Sequence, residues 1–557
     1  MTDPLLAYPA LEQTLLRTRG LTTEEDIKRF FDPSYEEDIK DPFGIIDLEK
    51  AAERIVGAIK AKEKIVIYGD YDCDGIPGSV VLHDLFKKIG NVNFSNYIPH
   101  RHKEGYGLHL HAIEQFAKDG VSLLITVDNG ITDVDEVARA QELGIDVIVT
   151  DHHLPQAVIP PAYAVVNSKR KEDTYHDNML CGAGVAWKLA CGVLKKERFD
   201  VPEGWEKWLL DMVGISTIAD MVPLQKENRA LAHFGLRVLR KSPRPGLKKL
   251  LSLARADQRS LGEEDIGFTI APRINAASRM DEPIKAFQLL SASDETEADT
   301  LARHLTALND DRKLSVARMM KEIRAHMKER ELREVVVVGN PAWRIGIVGL
   351  AAGTLAEELG RPVFVWGREG GEVIKGSCRS EGKTNMVELM VGAGDALLDR
   401  GGHEQAGGFS VSHESVHTLE DRLVDAYRLL YPEGAPRMPQ EELRPDMELS
   451  VEEVNLELTR RLSRFAPFGI GNPKPLFVLR GVTVADVRYF GKNKEHLELK
   501  LERAKGKPLS AIAFFAAHTL GKDRTTGERV HVFAHVEKNN TRFGDPVQLR
   551  IVDLREA

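Results

Sequence analysis

The chain has 557 residues, of which 42% are apolar and 29% charged, with a net charge of −9. That length predicts several domains at roughly one per 150 residues, and the acidic balance gives no global sign of a nucleic-acid partner. No apolar run reaches the ~18 residues of a membrane helix, the start MTDPLLAYPA lacks a signal pattern, and the four cysteines form no C-x-x-C pair, so a cytoplasmic protein with no membrane partner and no disulfide framework is expected.

Residues 1–45 read as an N-terminal helical segment. From 64 to about 220, short β-rich runs at 64–68, 122–127 and 145–150 alternate with helical stretches near 78–89, 110–118 and 132–143. This βαβ signature predicts a mostly parallel sheet covered on both faces, in a domain spanning 46–235. Residues 236–333 read as a basic and helical connecting region. Between 230 and 256 there is no acid, but there are Arg237, Arg240, Lys241, Arg244, Lys248, Lys249 and Arg255. That run is either a solvated helical face or a local nucleic-acid patch. The charged stretch from 292 to 333 is long enough to bridge two lobes. A second α/β unit at 334–432 has strands at 334–338, 362–366 and 372–376, with helices near 346–358 and 384–398. Residues 431–436 look like a linker. From 445 to 557 the pattern becomes β alternation, as at 497–501 and 530–536, and fits a small barrel of OB type.

The stretch KIVIYGDYDCDGIPGSVV places Asp70, Asp72 and Asp74 between the first strand and a helix. A calcium loop of EF-hand type fails, because Val81 stands where its last ligand must be a Glu, and a strand precedes it instead of a helix. Another metal site and a solvated turn remain. The second strand runs into Asp128 and the third into Asp151-His152-His153, while Asp220 ends a further segment. Ligands gather at the carboxyl ends of parallel strands, and Asp and His suit Mn²⁺, Mg²⁺ or Zn²⁺. Three such strand ends in succession favour the metal site over the turn.

GDYDCDG, VDNG, DHH and STIAD, in that order, resemble the four motifs of the DHH phosphoesterase superfamily. APRINAASRM (271–280), KGSCRS (375–380) and GGHEQAGGFS (401–410) are similar to the RecJ single-strand-specific exonucleases and their DHH-associated domain, and FAPFGIGNP (465–473) resembles the entry to their OB-fold. The resemblance implies an α/β fold: a parallel-sheet DHH catalytic domain at 46–235, a helical connector, a second α/β DHH-associated substrate-binding domain at 334–432, and a C-terminal OB-fold β-barrel at 445–557. It implies a metal-dependent 5′→3′ exonuclease that hydrolyses single-stranded DNA to 5′-mononucleotides in DNA recombination and repair. Two divalent ions are expected. Asp74, Asp128, His152 and Asp220 would hold one; Asp72 and a share of Asp128 the other, with Asp70 as direct ligand or one step removed. Oxygen-rich ligands favour Mn²⁺ or Mg²⁺, and the imidazole tilts the choice to Mn²⁺.

His153 is implied as general acid for the departing 3′-oxygen. Asp151 either orients the imidazoles or is a plain strand-end turn. Arg101, Ser377 and Arg379 would grip a 5′-phosphate; Arg273, Asn275 and Arg279 would follow the nucleotide backbone. His403 is a substrate contact or has a structural role in a glycine turn. Of the barrel aromatics, such as Tyr489, Phe514 and Phe515, at least half should be core and the rest free to stack on bases. Single-strand-binding protein and helicase are candidate partners. Two other readings remain. A phosphodiesterase for very short RNA or cyclic dinucleotides would have little use for a barrel and a basic stretch. A non-enzymatic replication scaffold would be expected to have lost metal ligands that this sequence keeps.

Overall fold

Aliphatic runs build the first sheet. In a computed structural model, which describes residues 3–175, 179–328, 330–369, 373–382, 384–434, 443–492, 494–517, 519–521, 524–539 and 545–557, five strands carry it: β1 (Lys64–Gly69), β2 (Phe94–Tyr97), β3 (Val121–Val127), β4 (Asp146–Thr150) and β5 (Ala164–Val166). Their order is β2-β1-β3-β4-β5 and every pairing is parallel. Ile65 and Ile67 point into one core with the helices Leu48–Ala61, Gly75–Ile89 and Gly182–Lys196. Val66 and Tyr68 point into another with the helices Leu110–Lys118 and Val134–Glu142. Both faces are buried, so these strands read as continuous apolar runs. The edge strands β2 and β5 are not expected from the sequence, because FSNY is half polar and AVV is only three residues long.

The 34-residue helix Glu295–Lys328 spans about 50 Å at 1.5 Å per residue. Ala302 and Leu305 pack into the first domain's core, while Met319, Met320 and Ile323 pack with the second α/β unit. The expected bridge between lobes is present. The basic run before it is partly internal. Arg244 lies 2.8 Å from Asp211 and 2.7 Å from Asp84, and Arg240 donates to the Leu261 carbonyl. For these two cations neither sequence reading holds, because their acids and carbonyls come from segments distant in the chain.

The second sheet contains β6 (Val336–Gly339), β7 (Val363–Gly367), β8 (Ile374–Arg379), β9 (Asp399–His403) and β10 (Ala406–Val411), in the order β6-β7-β8-β10-β9. Only β6 and β7 pair in parallel. The strand expected at 372–376 is β8, shifted toward the C-terminus; Glu372 lies outside the described residues. The helix expected at 384–398 is instead the short helix Met386–Gly392 and one turn at Gly394–Ala396, with β9 following from Asp399. Gly394, at φ +62°, takes the left-handed conformation that stops a helix. Of the expected linker, residues 435 and 436 lie outside the described set.

The third sheet contains β11 (Met447–Glu448), β12 (Phe477–Phe490), β13 (His496–Leu501), β14 (Leu509–Ala513), β15 (Arg529–Lys538) and β16 (Val547–Glu556). Pairing of β12 with β15 closes five of these strands into a barrel. The N-terminal helices Ala10–Thr18 and Glu24–Phe31 pack on this barrel domain: Leu15, Leu16 and Phe30 share a core with Phe465 and Leu479. Arg461 pairs with Glu12 at 2.5 Å, and Arg19 Nε donates to Asn472 Oδ1 at 2.7 Å. Among the described residues no helix is long and apolar enough to cross a membrane.

Candidate metal centre and substrate groove

Parallel strands deliver their following residues to one edge of the sheet. Here the acids themselves extend the ladder. The Asp70 amide donates to the Val127 carbonyl (3.1 Å), Asp128 to Thr150 (3.0 Å) and Asp151 to Val166 (3.2 Å). Each strand end is thereby stapled to the next. Asp128 adopts φ +66°, a left-handed conformation that Asp tolerates better than most residues.

Asp74 lies just before the helix Gly75–Ile89, and its carboxylate accepts the Gly182 and Ala183 amides at 2.6 and 2.7 Å. Those amides open the helix Gly182–Lys196, whose positive end favours a negative charge. Asp72 Oδ1 accepts the amides of Asp74 and Gly75. His152 Nε2 lies 3.1 Å from Asp128 Oδ1, 3.5 Å from Asp74 Oδ2 and 3.7 Å from Asp220 Oδ2. Three groups bring their ligand atoms within 4.8 Å of one another: Asp74, His152 and Asp220; Asp70, Asp72 and Asp128; and Asp128, His152 and His153.

The carboxylates oppose one another. Burial and then the neighbouring acids push Asp70 and Asp128 well above the usual carboxylate range, Asp74 to about 6 and Asp220 to about 8. Burial and the charge of His153 hold His152 down at about 3, neutral and able to act as a ligand. Asp70 Oδ1 and Asp128 Oδ1 are buried without a hydrogen-bond donor. Uncompensated buried acids are unfavourable, and a cation relieves them. Five aspartates with one imidazole form an oxygen-rich set that fits two divalent ions of Mn²⁺ or Mg²⁺ type.

Asp151 is more than a turn residue. Its Oδ1 accepts the amides of His152 and His153 and lies 2.8 Å from His153 Nδ1, while its Oδ2 accepts the Ile131 amide. It orients His153 alone. Burial disfavours the charged His153 ring, but the bond to Asp151 outweighs this and lifts it to about 9. The imidazole is therefore a proton donor at neutral pH. Sequence reasoning missed Tyr106, whose hydroxyl donates to the Asp128 carbonyl at 3.0 Å and lies 3.0 Å from His153 Nδ1. It also missed Lys169, which lies just beyond β5 and interacts electrostatically with Asp220, Asp151, Asp128 and Asp74. The signal for Lys169 was a fourth strand end, hidden because β5 is so short.

The structure brings Arg101, Arg279 and Arg379 together, and adds Arg312. Burial and the charges of Arg101, Arg312 and Arg379 pull Arg279 down to about 9, with Asp72 as the opposing charge. Arg101 sits 4.8 Å above the Tyr71 ring. Ser377 and Arg379 on β8 both face Gly349, where a Cβ would lie 3.2 Å from Ser377 Oγ and 3.4 Å from Arg379 Nη2. His403 is exposed at the end of β9, in one cross-strand row with Ala406 and Arg379. Arg273 and Asn275 share the helix Ala271–Met280 with Arg279 but have no described contact with the arginine group. Arg273 is buried and donates to the Thr269 carbonyl one turn back.

The three barrel aromatics are all surface residues: Phe515 is 79% exposed, Phe514 41% and Tyr489 38%. Other aromatics of this domain are core, with Phe465, Phe477 and Phe533 buried; Phe514 and Phe515 are exposed because they lie just past the end of β14. Arg550 lies 4.2 Å over the Phe514 ring.

Residues 64–217 match the model of the DHH family, N-terminal domain; residues 333–428 match the DHHA1 domain, and 445–553 the RecJ OB domain. The single-stranded-DNA-specific exonuclease RecJ of Bacillus subtilis (strain 168) is 37% identical over 557 residues, 99% of this chain and 69% of that protein. The crystal structure of RecJ in complex with Mn²⁺ from Thermus thermophilus superposes with a TM-score of 0.82 at 28% identity, over 99% of this chain and 77% of that one. The Mg²⁺ complex of RecJ from Thermus thermophilus gives 0.75 at 26% identity, over 99% and 76%.

Proposed function

Because the chain belongs to the RecJ family of single-stranded-DNA-specific exonucleases, we propose that it hydrolyses single-stranded DNA from the 5′ end to 5′-mononucleotides, in DNA recombination and repair. The observation that carries this reading is the sharing of Asp128 between two ligand groups at one sheet edge. Asp74, Asp128, His152 and Asp220 would hold one divalent ion, and Asp72, Asp128 and Asp70 the other. Such ions acidify the attacking water and neutralise charge on the phosphoryl oxygens. The chain's own residues do the rest. Asp151 holds the His153 ring by Nδ1, leaving Nε2 to protonate the departing 3′-oxygen. Tyr106 fixes the Asp128 backbone and the His153 ring together.

Arg101, Arg279, Arg379 and Ser377 form the pocket for a terminal 5′-phosphate, and Arg312 adds to its charge. Arg273, Asn275 and His403 line the strand's path, and the exposed Phe514 and Phe515 give bases a stacking surface. Single-strand-binding protein and helicase are the partners we assign. The four free cysteines accord with a cytoplasmic setting. Product length from a 5′-labelled single strand, with and without Mn²⁺, tests the proposal. Mononucleotides from the first turnover support it. Cleavage confined to dinucleotides favours the short-substrate phosphodiesterase, and no metal-dependent cleavage favours the scaffold.

A further inference from the structure

Where the N-terminal segment, the first domain and the barrel domain meet, there is a cavity of 540 Å³, a size typical of small-ligand sites. Arg229, on the helix Lys226–Leu239, is 5% exposed and lines it. Its Nε donates to the Phe30 carbonyl at 2.7 Å, and its Nη2 to the carbonyls of Phe465 and Ala466 at 3.3 and 3.2 Å. Its Nη1 is buried with no partner. Arg19 lines the same cavity and is held by neutral acceptors on Asn472, Pro473 and Leu15. Among the described residues neither arginine makes an ion pair.

The acids that line the cavity have other partners. Glu227 is 2.5 Å from the Lys188 ammonium, Asp38 is 3.2 Å from Arg29, and Asp26 accepts from the Thr23 hydroxyl. The first turn of the helix Lys226–Leu239 has no side-chain cap, and the exposed Lys226 stands beside it. Burial, then repulsion from Arg19, lowers Arg229 to about 9. Asp446 and Glu263 offset part of this charge, but the buried Arg229 Nη1 still has no acceptor, which is unfavourable until one is supplied. The Arg229 Nη1 can donate to a phosphate oxygen, the Arg19 charge lies in the same cavity wall, and the helix end adds positive potential.

We propose that this cavity binds a small phosphate-bearing anion, inorganic phosphate or a nucleoside monophosphate, at a site distinct from the metal centre. The site stands on its own geometry, whether or not the nuclease reading holds. An anion held by Arg229 of the first domain and Arg19 of the N-terminal segment would clamp the barrel domain to the catalytic one.

The test is calorimetric titration of the full chain with inorganic phosphate and, separately, thymidine monophosphate, in EDTA. An Arg379→Ala background weakens binding in the groove. Saturable binding should persist there and weaken at least ~10-fold in Lys226→Glu and in Arg229→Met, each loss being a charge-assisted contact. Should Arg229→Met fail to fold, the exposed Lys226→Glu substitution decides. Tighter binding of thymidine monophosphate than of phosphate names the mononucleotide as the ligand. Loss of all binding in Arg379→Ala alone, or unchanged affinity in folded Lys226→Glu, overturns the proposal.

Discussion

Gly182 leaves no room for a methyl group beside Asp128: a Cβ there would lie 2.6 Å from the Asp128 Cβ and 2.8 Å from its Oδ1. The same glycine's amide donates to Asp74 at 2.6 Å. One residue thus sets the position of two acids of the centre. Cβ is fixed to the backbone, so no rotation relieves the overlap. Gly182→Ala should cost about 1–3 kcal/mol of stability by overpacking. Displacing Asp128 should also lower turnover on the order of 10²-fold, as misplacements of about 1 Å do. Melting curves with nuclease assays check this; full activity would mean that the Asp128 carboxylate tolerates the shift.

Asp128→Ala should abolish turnover while the fold survives, because it removes the acid common to two ligand groups. Without metal the variant should melt at a higher temperature than wild type, since mutual repulsion among the acids falls. Mn²⁺ should then raise its melting temperature less than it raises that of wild type. Near-normal activity in a metal-replete preparation would sink the two-ion assignment.

His152→Ala and His153→Ala should fail differently. His152 is neutral and touches three acids, so its loss should weaken Mn²⁺ binding. His153, charged and tied to Asp151, should leave metal affinity almost unchanged and slow the chemical step by ~10²–10⁴-fold. Tyr106→Phe, which keeps the ring and loses the hydroxyl, should reduce the chemical step by less. Calorimetric titration paired with single-turnover rates distinguishes them; equal losses of metal affinity in both histidine variants would contradict the roles.

Arg379→Ala should erase most of the preference for 5′-phosphorylated over 5′-hydroxyl strands. A charge-assisted hydrogen bond is worth roughly 1.5–3 kcal/mol, or about 10- to 100-fold. Metal affinity should not change, because Arg379 lies on β8 of the second sheet. Matched kinetics on the two substrates decide, and a preference retained in full would remove Arg379 from the pocket.

The acidic edge of the first sheet was legible because it is written locally. A run such as 64–68 ends in Asp70, and the strand that the run predicts fixes where the acid goes. The roles proposed for Ser377 and Arg379 come from motif resemblance, not from spacing. Long-range contact was not legible. Nothing near Tyr106 in the sequence says that its hydroxyl meets Asp128, and Arg312 reads as one more surface charge on a long helix. Arg244 misled for the same reason: its partners Asp84 and Asp211 lie outside the run that made it look like a free cation. The exposed Phe514 and Phe515 show the limit of composition, since large apolar residues sit on surfaces where a strand has just ended.

The N-terminal helices rest on the barrel domain, and this sets an order of events during synthesis. Arg19 and its partner Asn472 are 453 residues apart. At the ribosome's pace of about 5–20 residues per second, roughly 20–90 s separate their appearance. Throughout that interval Leu15 and Leu16 have no barrel core to enter, although the first sheet is complete in sequence once Val166 is made. These early helices are therefore buried late, and a chain cut off before the barrel would carry their apolar faces bare for chaperones and proteases to recognise.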